Sequence, residues 1–194
     1  MARPRSLTDA SLLDAALVIM ARNGPDSLTF AALAASTGLA AATLVQRFGS
    51  KPALVKAALL HAWDGLDRRS ELAAAATGST PDGAVALLVT LSGDDADAGV
   101  NAADTHADGL MILREDFRDD DLRARGQRWG QRLQALIAPR LAGLGGRTAA
   151  ANDDAARELI ILWQGAILWW GFQREGTVAS YVERILSRWL EQRR

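Results

Sequence analysis

A run of small helix formers interrupted once by glycine constrains this chain more than any other feature. Residues 30–51 read FAALAASTGLAAATLVQRFGSK. Alanine and leucine favour helix on both sides of Gly38, and glycine breaks it. Leu33 and Ala34 precede the break, Gly38 follows Ala34 by four residues, and Leu39 and Leu44 come after. The spacing predicts two short helices, over 30–36 and 40–47, joined by a tight turn in which glycine takes a positive φ. Small residues let the two helices pack closely and keep them thin enough to enter a major groove. An ordinary helical hairpin has the same pattern, so both readings stand at this level.

The rest of the chain has helical periodicity from end to end. Leu12, Leu13, Ala16, Leu17 and Met20 make one apolar face of a first helix of about four turns. Ser6-Leu7-Thr8-Asp9 suits a capping box at its start, and Asn23-Gly24-Pro25 stops it. Thr29 is placed to cap the helix over 30–36. Lys51-Pro52 opens a long helix to residue 76, with proline in the favourable first turn. Further helices are expected near 82–92, 102–114, 119–143, 153–173 and 177–192, the third-last carrying Leu122, Trp129 and Leu136 at intervals of seven. No alternating strand pattern and no internal repeat occurs.

Composition removes several function classes. The chain has 194 residues and no cysteine, which excludes a disulfide scaffold and a thiolate metal site and suits the cytoplasm. Asp14 interrupts the first apolar run, so no signal peptide is expected. The segment 159–172 is too short to span a bilayer and contains Gln164, so no membrane partner is expected. His61 and His106 are the only histidines, without a Ser-His-Asp spacing or a phosphate-cradling glycine loop, and the chain is not expected to be an enzyme or to need a cofactor. Asp94, Asp95, Asp97, Asp104, His106 and Asp108 lack the pattern of a Ca²⁺ loop and are expected to form a solvated acidic loop. Charge is uneven. Residues 1–56 carry six cations (Arg3, Arg5, Arg22, Arg47, Lys51, Lys56) against Asp9, Asp14 and Asp26, a balance of +3 in a chain of net charge −1. A basic first segment on an acidic body suits a polyanionic partner for that segment alone.

The motifs in this segment resemble those of the tetracycline-repressor (TetR) family of bacterial transcriptional regulators. They are Leu13-Asp14-Ala15-Ala16, Thr29-Phe30-Ala31-Ala32-Leu33-Ala34, and Gly38-Leu39 through Thr43-Leu44 to Phe48-Gly49-Ser50-Lys51. The resemblance implies an all-α fold of about nine helices: a helix-turn-helix DNA-binding domain over 1–50 and a helical effector-binding and dimerisation domain over 51–194. It also implies a homodimeric repressor on a palindromic operator of double-stranded DNA, released by a small-molecule effector. The alternative is a helical dimeric module that binds a small molecule or protein and no longer reads DNA. Thr43, Gln46 and the methyls of Ala40 and Ala41 are the candidate base readers, with Thr29 and Lys51 as phosphate anchors. Three positions depart from the family pattern: Val45 replaces a phosphate-reaching tyrosine, Ala40 and Ala41 replace a polar opening, and Arg47 replaces a histidine. Arg47 supplies a cation that could stand in for the lost hydroxyl.

The tryptophan-rich end extends the same expectation. Leu159, Ile160, Trp163, Ala166, Ile167 and Trp170 form one helical stripe, and Ile161, Leu162, Gly165, Leu168, Trp169 and Phe172 cover the other side. A helix apolar all round must be covered all round. The resemblance implies a second copy as the cover, with Gly165 favouring close approach and Val178, Tyr181, Val182, Ile185 and Trp189 as a matching stripe. Trp63, Trp129, Trp163 and Trp170 are candidate lining for a pocket that takes a hydrophobic or aromatic effector, though each is equally explained as core.

Overall fold

Threonine sets most of the helix starts. In the computed structural model, which describes residues 7–93, 113–144 and 148–194, the hydroxyls of Thr8, Thr29, Thr80, Thr148 and Thr177 accept from the backbone amides of Ser11, Ala32, Gly83, Ala151 and Ser180. Each satisfies an amide that the first turn leaves without a partner, worth about 1 kcal/mol per cap. The helices so begun are α1 (Asp9–Asn23), α2 (Phe30–Thr37), α5 (Pro81–Leu91), α8 (Ala149–Gln173) and α9 (Val178–Glu191). α3 (Ala41–Phe48) starts from Ala40 without a side-chain cap, and Ser50 caps α4 (Lys51–Ala76) through Ala53 N–H. Helix α6 is described over 113–118, and Asp119 then caps α7 (Asp120–Ile137) through the amides of Asp121 and Leu122. Among the described residues there is no strand, as the periodicity predicts.

Most boundaries fall within a few residues of expectation. α1 starts from Thr8, two residues inside the expected capping box, and α8 starts at Ala149 because Thr148 caps it. The expected helix over 119–143 ends at Ile137, where Pro139 turns the chain into a 3₁₀ helix, Ala138–Gly143. A second 3₁₀ helix, Pro25–Ser27, fills the loop after α1. The acidic cluster Asp94 to Asp108, and all but the last two positions of the helix expected over 102–114, lie outside the described residues.

The chain divides into two compact units. The first holds α1 to α3, α4 up to Gly65, and the segment through α6 to Gly126. Its core is Leu12, Ala16 and Met20 of α1, Leu28, Leu33 of α2, Leu44 of α3, Leu54, Ala58 and Leu59 of α4, and Leu122. Because α4 supplies three of these side chains, the unit extends past the boundary expected at residue 50. The second unit takes α4 from Leu66, then α5, α7 from Gln127, α8 and α9. Leu87, Leu88, Leu133, Ile137, Leu141, Leu159, Val182 and Leu186 are fully buried in it. Gly83, in the first turn of α5, lies so close to the preceding turn that a Cβ there would stand 1.8 Å from the Gly78 carbonyl oxygen.

Candidate nucleic-acid interface

The turn between α2 and α3 is three residues long, Gly38-Leu39-Ala40. Gly38 ends α2 in the left-handed region at φ 74°, where its N–H donates to the Ala34 carbonyl. A Cβ is disfavoured there, so the turn needs glycine. Leu33 and Leu44 anchor the two helices from below, both fully buried, while Leu39 and Phe48 pack against the same core. This is the helix-turn-helix arrangement, one of the two readings the alanine-rich run allows.

Burial fixes which way α3 faces. Leu44 points into the core and Thr43 is half-buried, whereas Ala41, Ala42, Val45 and Gln46 are exposed. Those four recur at i, i+1, i+4 and i+5 and share one outward face. Ala40 is exposed at the N-cap. Of the expected base readers, the outward face therefore carries Ala40, Ala41 and Gln46, with Thr43 at its edge. It also carries Ala42 and Val45, which the sequence reading did not select. Their spacing from Ala41 and Gln46 was the available signal.

The cations are engaged differently. Arg47 Nη1 donates to the Leu7 carbonyl at 2.8 Å and lies 3.3 Å from Asp9 Oδ1. Its charge is thus balanced by a carboxylate on α1. Lys51 Nζ donates to the Asp26 carbonyl at 2.8 Å, an uncharged partner that leaves two ammonium protons to donate elsewhere. Lys56 sits between Asp121 at 2.6 Å and Asp119 at 3.0 Å. Those hydrogen bonds, Asp121's first, raise its ammonium pKa, and Lys56 in turn lowers that of Asp119. Lys51 and Lys56 both line a cleft of about 380 Å³ with Pro25, Pro52, Val55 and Asp119. Thr29 is exposed, its oxygen taken by the α2 cap while its proton remains to donate.

The remaining site expectations fall in several places. Trp63 belongs to the first unit, where its Nε1–H donates to buried Asp116 at 3.0 Å and its ring lies against Gly126. Trp129, Trp163 and Trp170 belong to the second and are buried. Trp129 and Trp163 are neighbours, with ring centroids 6.2 Å apart, and donate to Ser70 and Ser92. Trp170 donates from Nε1 to the Gly176 carbonyl at 3.2 Å. On α8, Ile161, Gly165, Leu168, Trp169 and Phe172 are exposed on one face, and the Trp169 and Phe172 rings lie 5.4 Å apart. α9 departs from the expected outward stripe. Val178, Tyr181, Val182 and Trp189 are buried in their own unit and Ile185 is half-buried. α9 has a single apolar stripe, and α5 and α8 of the same chain already cover it.

Among the described residues the secondary structure is helical throughout, with a helix-turn-helix near the N-terminus, an exposed α3 face and a second helical unit, which is the architecture of a helix-turn-helix protein. Residues 12–58 match the sequence profile of the bacterial regulatory proteins of the tetR family. A protein described as a transcriptional regulator from Pseudomonas aeruginosa PAO1 shares the fold at TM-score 0.71 and 18% identity, over 93% of this chain and 87% of that one. A TetR-like transcriptional regulator from Rhodococcus sp. RHA1 does so at 0.65 and 20% identity, over 98% and 99%. AmtR of Mycobacterium smegmatis follows at 0.53 and 18%, over 96% and 89%. No curated protein matches significantly. Residues 12–58 thus carry the N-terminal domain of the tetR family, and the described fold is similar to that of these solved regulators. Among the described residues, no helix is long and apolar enough to cross a membrane.

Proposed function

We propose that this protein is a TetR-family transcriptional repressor that binds a palindromic DNA operator as a homodimer and is released by a small hydrophobic or aromatic effector. The observation that carries the DNA-binding part is the helix-turn-helix, with α3 held on Leu44 and its opposite face uncovered. Lys51 and Thr29 are the phosphate anchors: Lys51 donates to an uncharged carbonyl, and Thr29 keeps a hydroxyl proton to donate. Gln46 and Thr43 read base edges. Arg47, balanced by Asp9, acts by holding α3 to α1.

The dimer reading is supported by the exposed α8 face, where Ile161, Trp169 and Phe172 are 63%, 54% and 74% exposed. A contiguous apolar face of this kind marks an interaction surface, and a second copy offers the same face in a two-fold arrangement. The effector reading is supported by the aromatic content of the second unit, with Trp129 and Trp163 side by side. Coupling would run along α4, whose residues belong to both units. Two reading heads must sit about 34–36 Å apart to use successive major grooves, so a modest change in that helix would spoil the fit.

Selection of bound duplexes from a random pool, followed by a salt titration of the selected one, tests the reading. A repressor yields a palindromic consensus whose affinity falls steeply with salt. Failure to enrich any duplex would favour the other reading, a helical dimer that does not read DNA.

A further inference from the structure

The outward face of α3 is unusual in what it lacks. Five side chains of α3 are exposed: Ala41, Ala42 and Val45 end in methyl groups, and Gln46 and Arg47 are the polar ones. Thr43 is half-buried beside Gln46, and Arg47 is occupied by Leu7 and Asp9. Val45 is 43% exposed although valine is a poorer helix former than the alanines around it. A single exposed valine is common on any surface. Here it lies one turn beyond Ala41 and extends the two alanines into a continuous apolar strip along the reading face.

In the major groove only one base-pair edge is apolar, the C5-methyl of thymine; every other distinguishing group donates or accepts a hydrogen bond. An alanine-valine strip would leave the polar edge of a G·C pair stripped of water and without a partner. Against thymine it forms ordinary apolar contact. Short side chains also let the helix axis approach the base edges closely enough for methyls to touch. Resting on the DNA-binding reading above, we propose that this strip selects its operator by thymine methyl groups, and that Gln46 pairs bidentately with one adjacent adenine. The half-site would then be A·T-rich opposite α3, with thymines facing Ala41, Ala42 and Val45.

The test replaces thymine by 2′-deoxyuridine, one position at a time, in the duplex selected by the wild-type protein. Uracil keeps the pairing and the O4 acceptor and removes only the methyl. Each contacted position should weaken binding about fourfold, the effect of one buried methyl-sized group. The salt slope should not change, because no phosphate contact is lost. With Val45→Ala, the thymine-to-uracil difference should collapse at one position and persist at the others; Val45 is exposed, so this variant folds as the wild type does. Two results would overturn the proposal. One is a selected duplex in which no uracil substitution changes affinity, which removes methyl readout but leaves DNA binding intact. The other is enrichment of no duplex at all, which removes the DNA-binding reading beneath it.

Discussion

The guanidinium of Arg47 reaches back across forty positions of sequence to donate to the main-chain carbonyl of Leu7 at 2.8 Å. It ties the last turn of α3 to the residue just before the Thr8 cap of α1, with Asp9 3.3 Å away. An arginine on a reading helix is ordinarily a phosphate contact. Here its charge is met within the chain, and its first effect is on the placement of α3.

The two cations of this region should therefore separate in a salt titration. Lys51→Ala is expected to weaken binding to all duplexes alike and to lower the slope of log K against log salt by about 0.9, the value of one phosphate contact. Arg47→Ala should weaken binding with the slope unchanged, and should cost about 1 kcal/mol of stability, as for an exposed charged pair with one added hydrogen bond. A lower slope for Arg47→Ala would make it a phosphate ligand in the complex.

Association should depend on Gly165 without folding depending on it. A Cβ at Gly165 meets nothing within 4 Å, and the residue lies on the exposed face with Ile161, Leu168, Trp169 and Phe172. Arginine is a better helix former than glycine by about 0.8 kcal/mol, so Gly165→Arg should leave the protomer folded or slightly more stable. Across a dimer interface the same side chain brings bulk and charge between two copies. Sedimentation should show a dimer for the wild type and a monomer for the variant, with unchanged helical circular dichroism. A dimeric variant would move the interface elsewhere.

Helices could be read because their signals are local: apolar side chains every three or four residues, and threonine, glycine and proline at the ends. Gly38 is the clearest case, since a helix break after small residues has few other solutions. In α9 the polar positions decide which face is available. Its other face carries Ser180, Glu183, Arg184, Ser187, Arg188 and Glu191, so it has one apolar stripe, which its own unit takes; α8 has two, and one is left uncovered. The Arg47–Leu7 contact was out of reach, because no periodicity links residues forty positions apart. Val45 lay between these cases. Its spacing placed it on the reading face, but comparison with the family's tyrosine made it look like a loss rather than part of a surface.

Gly83 should resist even the smallest substitution. Alanine in a helix normally gains about 1 kcal/mol over glycine. At Gly83 the new Cβ would lie 1.8 Å from the Gly78 carbonyl oxygen and 2.6 Å from its carbon, both backbone atoms. The turn over 78–80 must then move and the Thr80 cap, which accepts from Gly83 N–H at 3.1 Å, must be remade or lost. Overpacking of this kind costs about 1–3 kcal/mol, which outweighs the propensity gain. Gly83→Ala should lower the urea midpoint, whereas Gly130→Ala, where a Cβ meets nothing within 4 Å, should not. Equal midpoints for the two variants would show that the turn yields at no cost.

Asp116 is 7% exposed and accepts from Trp63 Nε1–H at 3.0 Å. Burial pushes its carboxyl pKa above the ordinary value; the Trp63 hydrogen bond opposes that shift only in part, and Glu115 nearby adds to it. For an acid whose folded pKa is raised, the stabilising contribution is fully present below the unfolded value and is lost as pH rises through the folded one. At neutral pH the buried carboxylate is therefore a cost. Asp116→Asn keeps an oxygen to accept from Trp63 and cannot ionise. Its melting temperature should exceed the wild type's at pH 8, by about 2 °C or more, and the gap should close toward pH 4. Trp63→Phe works in the opposite direction: it removes a donor that stabilises the carboxylate, so stability should fall more steeply as pH rises. Identical pH profiles for all three proteins would mean that Asp116 is solvated well enough for its burial not to matter.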